Sequence, residues 1–144
     1  MPRKVFRRFT DAGLLEWPCA SVIVEEDRGE LEIRAVFSEI VGGRTQDLCL
    51  RFGRVVAIAS FEEIAYPWDD EDVELPRLSG DWRNYTYPIL TIENSEWMEL
   101  VGDALPQRSE ALTHFCVVTL DKTIDVLAEH RPTCIWITPS LNGR

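Results

Sequence analysis

The sequence lacks the long apolar runs and the catalytic signatures that would identify many protein classes. No apolar stretch approaches the roughly 18 residues of a membrane-spanning helix, and the basic start is not followed by the apolar part of a secretion signal. A glycine-rich phosphate loop, a Gly-x-Ser-x-Gly turn and a His-Glu-x-x-His helix are all missing. We therefore expect a cytoplasmic, bacterial-type protein without a membrane span, and we predict no catalytic residue.

Cysteine is scarce and scattered. The four cysteines include no Cys-x-x-Cys pair, and each lies inside an apolar stretch. Free cysteine is among the residues most often buried, so we interpret all four as buried thiols and expect neither a structural zinc site nor another cofactor. They are Cys19, Cys49, Cys116 and Cys134.

Length and composition are those of an ordinary globular domain. With 144 residues, of which 45% are hydrophobic, the chain is long enough to bury one core and too apolar to be disordered. No linker or internal repeat divides it, so residues 1–144 are interpreted as a single domain.

The net charge of −10 comes from one region of the sequence. Residues 1–60 and 111–144 each balance acids with bases, whereas residues 61–110 hold thirteen acidic and three basic residues. A field of that sign repels nucleic acids and anionic membranes. The charge pattern therefore predicts a protein partner with a basic surface, with neither nucleic acid nor membrane binding.

Alternating apolar residues and turn signals predict strands on both sides of the acidic region. Asp27-Arg28-Gly29 should close a hairpin, and the first four strands should form an antiparallel meander. Asp121-Lys122 is expected to be a two-residue hairpin turn. The predicted strands are 19–26, 30–37, 48–52, 55–60, 87–92, 113–120, 123–128 and 133–138.

One short amphipathic helix is predicted near 94–105, with Asn94 or Ser95 as its cap and Pro106 beyond its end. The apolar face that should pack on the sheet consists of Trp97, Leu100, Val101 and Ala104. Together these elements predict an α+β fold, with a mainly antiparallel sheet of about six to eight strands and one main helix.

Residues 66–88 are predicted to form a long loop, because they show little periodicity and hold prolines and a glycine. Aromatic and acidic residues are mixed in this segment, as is typical of protein interfaces. Alternatively, Trp68 and Trp82 anchor the loop to the core while the acids are only solvated. The predicted partner-binding residues are Trp68, Asp69, Asp70, Glu71, Asp72, Trp82 and Tyr85.

The four consecutive acids 69–72 also raise the question of a metal. A calcium loop needs ligands at alternate positions and a glycine at the sharp turn, and this run has neither. We therefore predict no metal site.

Only two histidines are present, and one of them, His114, lies two residues from Cys116 on a predicted strand. Both side chains should face the same side, and a Cys–His pair is one way to activate a thiolate. A half-buried histidine beside a core cysteine is the simpler interpretation. If the protein were a small enzyme or a ligand-binding domain, a pocket between sheet and helix would include Trp97, His114 and Cys116.

Two segments resemble parts of small uncharacterised bacterial proteins. They are Tyr-Pro-Ile-Leu-Thr-Ile-Glu-Asn-Ser-Glu-Trp at 87–97 and His-Phe-Cys-Val-Val-Thr-Leu-Asp-Lys-Thr-Ile-Asp-Val-Leu-Ala at 114–128. The resemblance implies no activity and no site residues.

Three functional hypotheses follow from these features. The first is a non-catalytic acidic domain that binds a basic protein, such as an immunity protein or an antitoxin-like inhibitor. The second is a small enzyme or ligand-binding domain with a pocket between sheet and helix. The third is a domain that forms a homodimer through an edge strand or an apolar face.

Overall fold

The structure is a computed structural model that describes residues 3–13, 15–37, 46–62, 74–104 and 112–138. These residues form nine strands and one α-helix. The bounds are β1 Val5–Arg8, β2 Ser21–Asp27, β3 Glu30–Val36, β4 Asp47–Phe52, β5 Val55–Glu62, β6 Ile89–Glu93, α1 Glu96–Ala104, β7 Thr113–Val118, β8 Lys122–Ala128 and β9 Thr133–Ile137. The predicted mainly antiparallel α+β architecture is confirmed in outline, although the described strands exceed the predicted number.

The strands form two antiparallel sheets rather than one. The large sheet has the order β1-β6-β7-β8-β5, and the small sheet has the order β2-β3-β4-β9. The predicted meander of the first four strands is therefore wrong in its last member, because β5 leaves β4 and pairs with β8. Alternating hydrophobicity indicates that a strand buries one face, but it does not specify the neighbouring strand.

The two sheets face each other across one apolar core. Ile33 and Leu50 of the small sheet lie in the same buried cluster as Phe115 and Val126 of the large sheet. The ring of Phe52 meets that of Phe115 edge to face, with 5.3 Å between centroids. Face-to-face packing of this kind leaves the other side of each sheet to be covered by something else or by solvent.

We call the side of the large sheet that points away from the small sheet the outer face. Its residues in β6, β7 and β8 are neighbours across the strands in the register of the sheet. α1 and the segment 74–87, which we call the covering segment, lie over this face: Trp97 contacts His114, and Leu75 packs on the apolar cluster around Leu90. The outer-face residues are Leu90, Ile92, His114, Cys116, Val118, Thr123, Asp125 and Leu127.

The hairpin of β2 and β3 forms where the turn signal predicted it. Arg28 and Gly29 both have positive φ angles, 53° and 82°, which is the geometry of a two-residue turn matched to the twist of the strands. β2 is the edge strand of the small sheet, and its residues from Ile23 to Asp27 are exposed.

α1 begins where Ser95 caps it, because the Ser95 hydroxyl accepts a hydrogen bond from the Met98 amide at 3.0 Å. The predicted packing face is right in two of its four residues. Trp97 and Val101 are half-buried, as is Met98, whereas Ala104 is exposed and Leu100 exposes 71% of its surface. α1 has only nine residues, too few to cross a bilayer, and the described ranges contain no other helix that could do so.

Candidate functional site

A buried polar pair lies on the outer face under α1. His114 Nε2 and Asp125 Oδ1 are 2.6 Å apart, and both side chains are fully buried. At this distance the ring nitrogen and the carboxyl oxygen share one hydrogen bond, in which the donor depends on the tautomer of the histidine. The ring of Trp97 packs edge to face on His114, with 5.2 Å between centroids, and closes the pair off from solvent.

The three residues predicted for a pocket between sheet and helix all belong to this region. Cys116 lies directly opposite Asp125 in the register of β7 and β8, next to His114 on the same face. Trp97 fills the space above His114, and of the three predicted residues only Cys116 lines the cavity described next. Asp125 was missed at the sequence level, although a charged residue in the apolar run Thr-Ile-Asp-Val-Leu-Ala was an available signal.

A cavity of about 200 Å³ lies on the outer face beside the buried pair. The sheet forms its floor, the β7–β8 turn forms one side, and the covering segment forms the opposite wall. Its lining residues are Leu75, Arg77, Asn84, Tyr85, Thr86, Leu90, Cys116, Val118, Thr119, Leu120 and Thr123. We call it the outer-face cavity.

The β7–β8 turn at the rim of this cavity is longer than predicted. The strands end at Val118 and resume at Lys122, so the turn comprises residues 119–121 instead of two residues. The hydroxyl of Thr119 holds it: its Oγ1 lies 2.7 Å from the Lys122 carbonyl oxygen and accepts the Lys122 amide at 3.0 Å. Threonine hydroxyls can stabilise a turn in this way, by hydrogen bonding to the backbone a few residues further along the chain.

The described part of the predicted long loop is ordered by its own hydrogen bonds. In the covering segment the Leu78 amide donates to the Tyr85 carbonyl at 2.9 Å, and Arg77 and Thr86 form an isolated antiparallel bridge. A short 3₁₀ helix, Gly80–Trp82, makes the reversal between them. This wall of the cavity is therefore a small folded unit and not an aperiodic loop.

Two polar groups of the outer-face cavity stand out. Thr123 exposes 6% of its surface, and its Oγ1 is buried without a hydrogen-bond partner in the described part of the chain. Arg77 uses Nη1 to donate to the carbonyl oxygen of Asn84 at 3.0 Å, which is a neutral acceptor. Both groups therefore keep hydrogen-bonding capacity at a site that is otherwise mainly apolar.

The exposed side of α1 is the second candidate surface. Leu100 projects between acidic residues of the same helix, which contains no basic residue. Glu96 lies 3.9 Å from Lys4 Nζ, whereas Glu99 forms no ion pair within the described ranges. We define the α1 surface as Glu96, Glu99, Leu100 and Asp103, all of which are exposed.

The predicted partner-binding residues fall into two groups. Trp82 and Tyr85 pack edge to face at 6.1 Å in the covering segment, with Trp82 half-buried and Tyr85 43% exposed. Tyr85 also lines the outer-face cavity. The others, Trp68, Asp69, Asp70, Glu71 and Asp72, lie outside the described residues.

All four cysteines are free thiols, three of them buried and Cys134 half-buried. Burial raises the pKa of the Cys19 thiol to about 12 and that of Cys134 to about 11. These thiols are therefore protonated and poorly nucleophilic at neutral pH. No group of three or more side chains able to ligate a metal lies together in the ranges that the structure covers.

Comparison with protein-family models, with curated proteins and with solved structures found no match to this chain.

Proposed function

We propose that this chain is a non-catalytic acidic domain that binds a basic protein, in the manner of an immunity protein or an antitoxin-like inhibitor. The observation that carries the proposal is the α1 surface, where Leu100 exposes 71% of its surface among carboxylates. An apolar centre surrounded by a polar rim is the usual arrangement of a protein interface. The occupant that fits is a protein with an apolar depression surrounded by lysine and arginine.

The charge distribution supports the same proposal. The α1 surface belongs to the region 61–110, which supplies the whole net charge of −10. A concentrated negative field accelerates and orients the approach of a basic partner, and it repels competing acidic surfaces. The predicted acidic residues 69–72 belong to the same region and would extend this field.

The packing of the buried pair favours a non-catalytic protein. His114 is covered by Trp97 and held by Asp125, so its ring is closed to solvent. A general base must reach a substrate proton within hydrogen-bond distance, which this arrangement prevents. The His114–Asp125 pair is better suited to fixing β7 against β8 beneath α1.

The experiment uses variants in which acidic residues are replaced by their neutral amides. The unchanged protein and the variants first serve as baits in extracts of the native cell. The affinity for the purified partner is then measured at several salt concentrations. We expect Glu96→Gln, Glu99→Gln and Asp103→Asn together to weaken binding by about tenfold at low salt. The change Leu100→Ala should weaken it at all salt concentrations, because it removes the apolar anchor and leaves the charge unaltered.

A matched control exists on the β2–β3 hairpin. The changes Glu25→Gln, Glu26→Gln and Asp27→Asn remove the same number of charges from an exposed strand edge of the small sheet. This control should bind as the unchanged protein does. Equal loss of affinity in the two triple variants would mean that only the net charge matters, and not the α1 surface. Unaltered capture of the partner by both the α1 variants and a variant neutralised at 69–72 would refute the proposal.

A further inference from the structure

We propose that the outer-face cavity binds a small organic anion, with a compact apolar body and one carboxylate or similar negative group. The cavity is separate from the α1 surface, so this inference does not depend on the proposed protein partner. It depends on three features: the size of the cavity, a buried hydroxyl and an arginine.

The size and lining of the cavity set the size and polarity of the ligand. About 200 Å³ is slightly more than the cavity of about 150 Å³ that is known to accommodate benzene. Leu90 and Val118 make the floor apolar, and Leu75 and Leu120 make the sides apolar. A single ring or a short branched chain fits these limits, whereas a nucleotide or a sugar chain is too large and too polar.

The Thr123 hydroxyl is the first recognition element. Its backbone lies in β8 between two paired strands, opposite Val118 of β7 and Phe61 of β5. This pairing holds the Thr123 side chain at the cavity. A buried hydroxyl without a partner lowers stability, and a valine of nearly the same shape would avoid that cost. An oxygen of a bound ligand would accept the hydroxyl hydrogen.

The Arg77 guanidinium is the second recognition element. Its contact with the carbonyl of Asn84 occupies one donor, and no carboxylate pairs with it in the described ranges. The planar fork of arginine matches a carboxylate, and such charge-assisted hydrogen bonds are stronger than neutral ones. The net charge of −10 repels anions in general. An anionic ligand would therefore need the positive charge of Arg77 at the cavity to offset this repulsion.

The test uses phenylacetate and phenylacetamide, which have nearly the same shape and differ in charge. The full chain, labelled with ¹⁵N, is titrated with each probe at millimolar concentration and followed by amide chemical shifts. We expect saturable shifts centred on Leu120 and Thr123, and about tenfold tighter binding of phenylacetate than of phenylacetamide. Arg77→Gln should abolish that preference, and Thr123→Val should weaken the binding of both probes.

Arg83→Gln is the matched control, because Arg83 belongs to the covering segment but donates to Gly80 and does not line the cavity. It should keep the preference for phenylacetate. The proposal is overturned if neither probe shifts the cavity amides, if phenylacetamide binds as well as phenylacetate, or if Arg83→Gln changes the preference as much as Arg77→Gln. Thermal unfolding of each variant confirms that it is folded under the conditions of the titration.

Discussion

His114 Nε2 lies 2.6 Å from Asp125 Oδ1, and neither side chain exposes any surface. Replacing Asp125 with alanine removes the hydrogen-bond partner of a buried imidazole, so we expect the free energy of unfolding to fall by about 3–5 kcal/mol. Asp125→Asn keeps an oxygen acceptor and should cost about 1–3 kcal/mol. Urea denaturation measures both values, and equal losses in the two variants would contradict the role assigned to this hydrogen bond.

Thr123 and Thr119 are equally buried, each exposing 6% of its surface, but their hydroxyls differ in hydrogen bonding. Thr123→Val removes an unpartnered hydroxyl and should raise the free energy of unfolding by about 1 kcal/mol. Thr119→Val removes the hydrogen bonds of the β7–β8 turn and should lower it by about 1–3 kcal/mol. Chemical denaturation measures both variants, and each serves as the control for the other. The critical result is that the two changes in the free energy of unfolding have opposite signs.

The Cys19 thiol predicts a loss of stability in alkaline solution. Burial raises the pKa of Cys19 from 9.0 to about 12, so the folded state holds this proton to higher pH than the unfolded state. Its contribution is complete below pH 9.0 and is lost as the pH rises from there towards 12. Between about pH 8 and about pH 10.5, the free energy of unfolding should fall less steeply with pH for Cys19→Ala than for the unchanged protein. The same slope in both proteins would contradict this expectation.

Leu100 and Leu90 test the orientation of α1. Leu100 is largely exposed, so Leu100→Ala should change the free energy of unfolding by less than about 0.5 kcal/mol. Leu90 is buried on the outer face, and Leu90→Ala should cost about 2–5 kcal/mol. Thermal or urea unfolding separates the two cases. A large loss for Leu100→Ala would mean that the helix packs through the face predicted from the sequence.

The local elements were predictable because their signals are local. Asp27-Arg28-Gly29 identified the hairpin, and the two candidate caps, Asn94 and Ser95, located the start of α1, where Ser95 is the cap. The side of the helix that packs was not predictable, because the apolar residues 97, 98, 100, 101 and 104 are compatible with two faces of a nine-residue helix. The sheet selects one of them, and that choice depends on residues distant in the sequence.

The sites were less predictable than the strands. Strand β1 was not predicted, because it has only four residues and two of them are arginines. This leaves too few apolar residues to show an alternating pattern around Phe6. The cavity exists only because the covering segment folds back over β6 and β7, which no spacing of residues encodes. The pairing of His114 with Asp125 likewise requires the register of β7 against β8. The simpler interpretation of His114, a half-buried histidine beside a core cysteine, agrees with its neighbour Cys116, although His114 is fully buried.

The strand order also has a consequence for how the chain folds during synthesis. β4 is completed by β9, β1 by β6 and β5 by β8, so each of these strands waits for a partner made much later. Folding dominated by distant pairings is slow, on the order of milliseconds to seconds. Until β9 emerges, one backbone edge of β4 is open to other chains, and its apolar run Leu-Cys-Leu is the segment that a chaperone would have to shield.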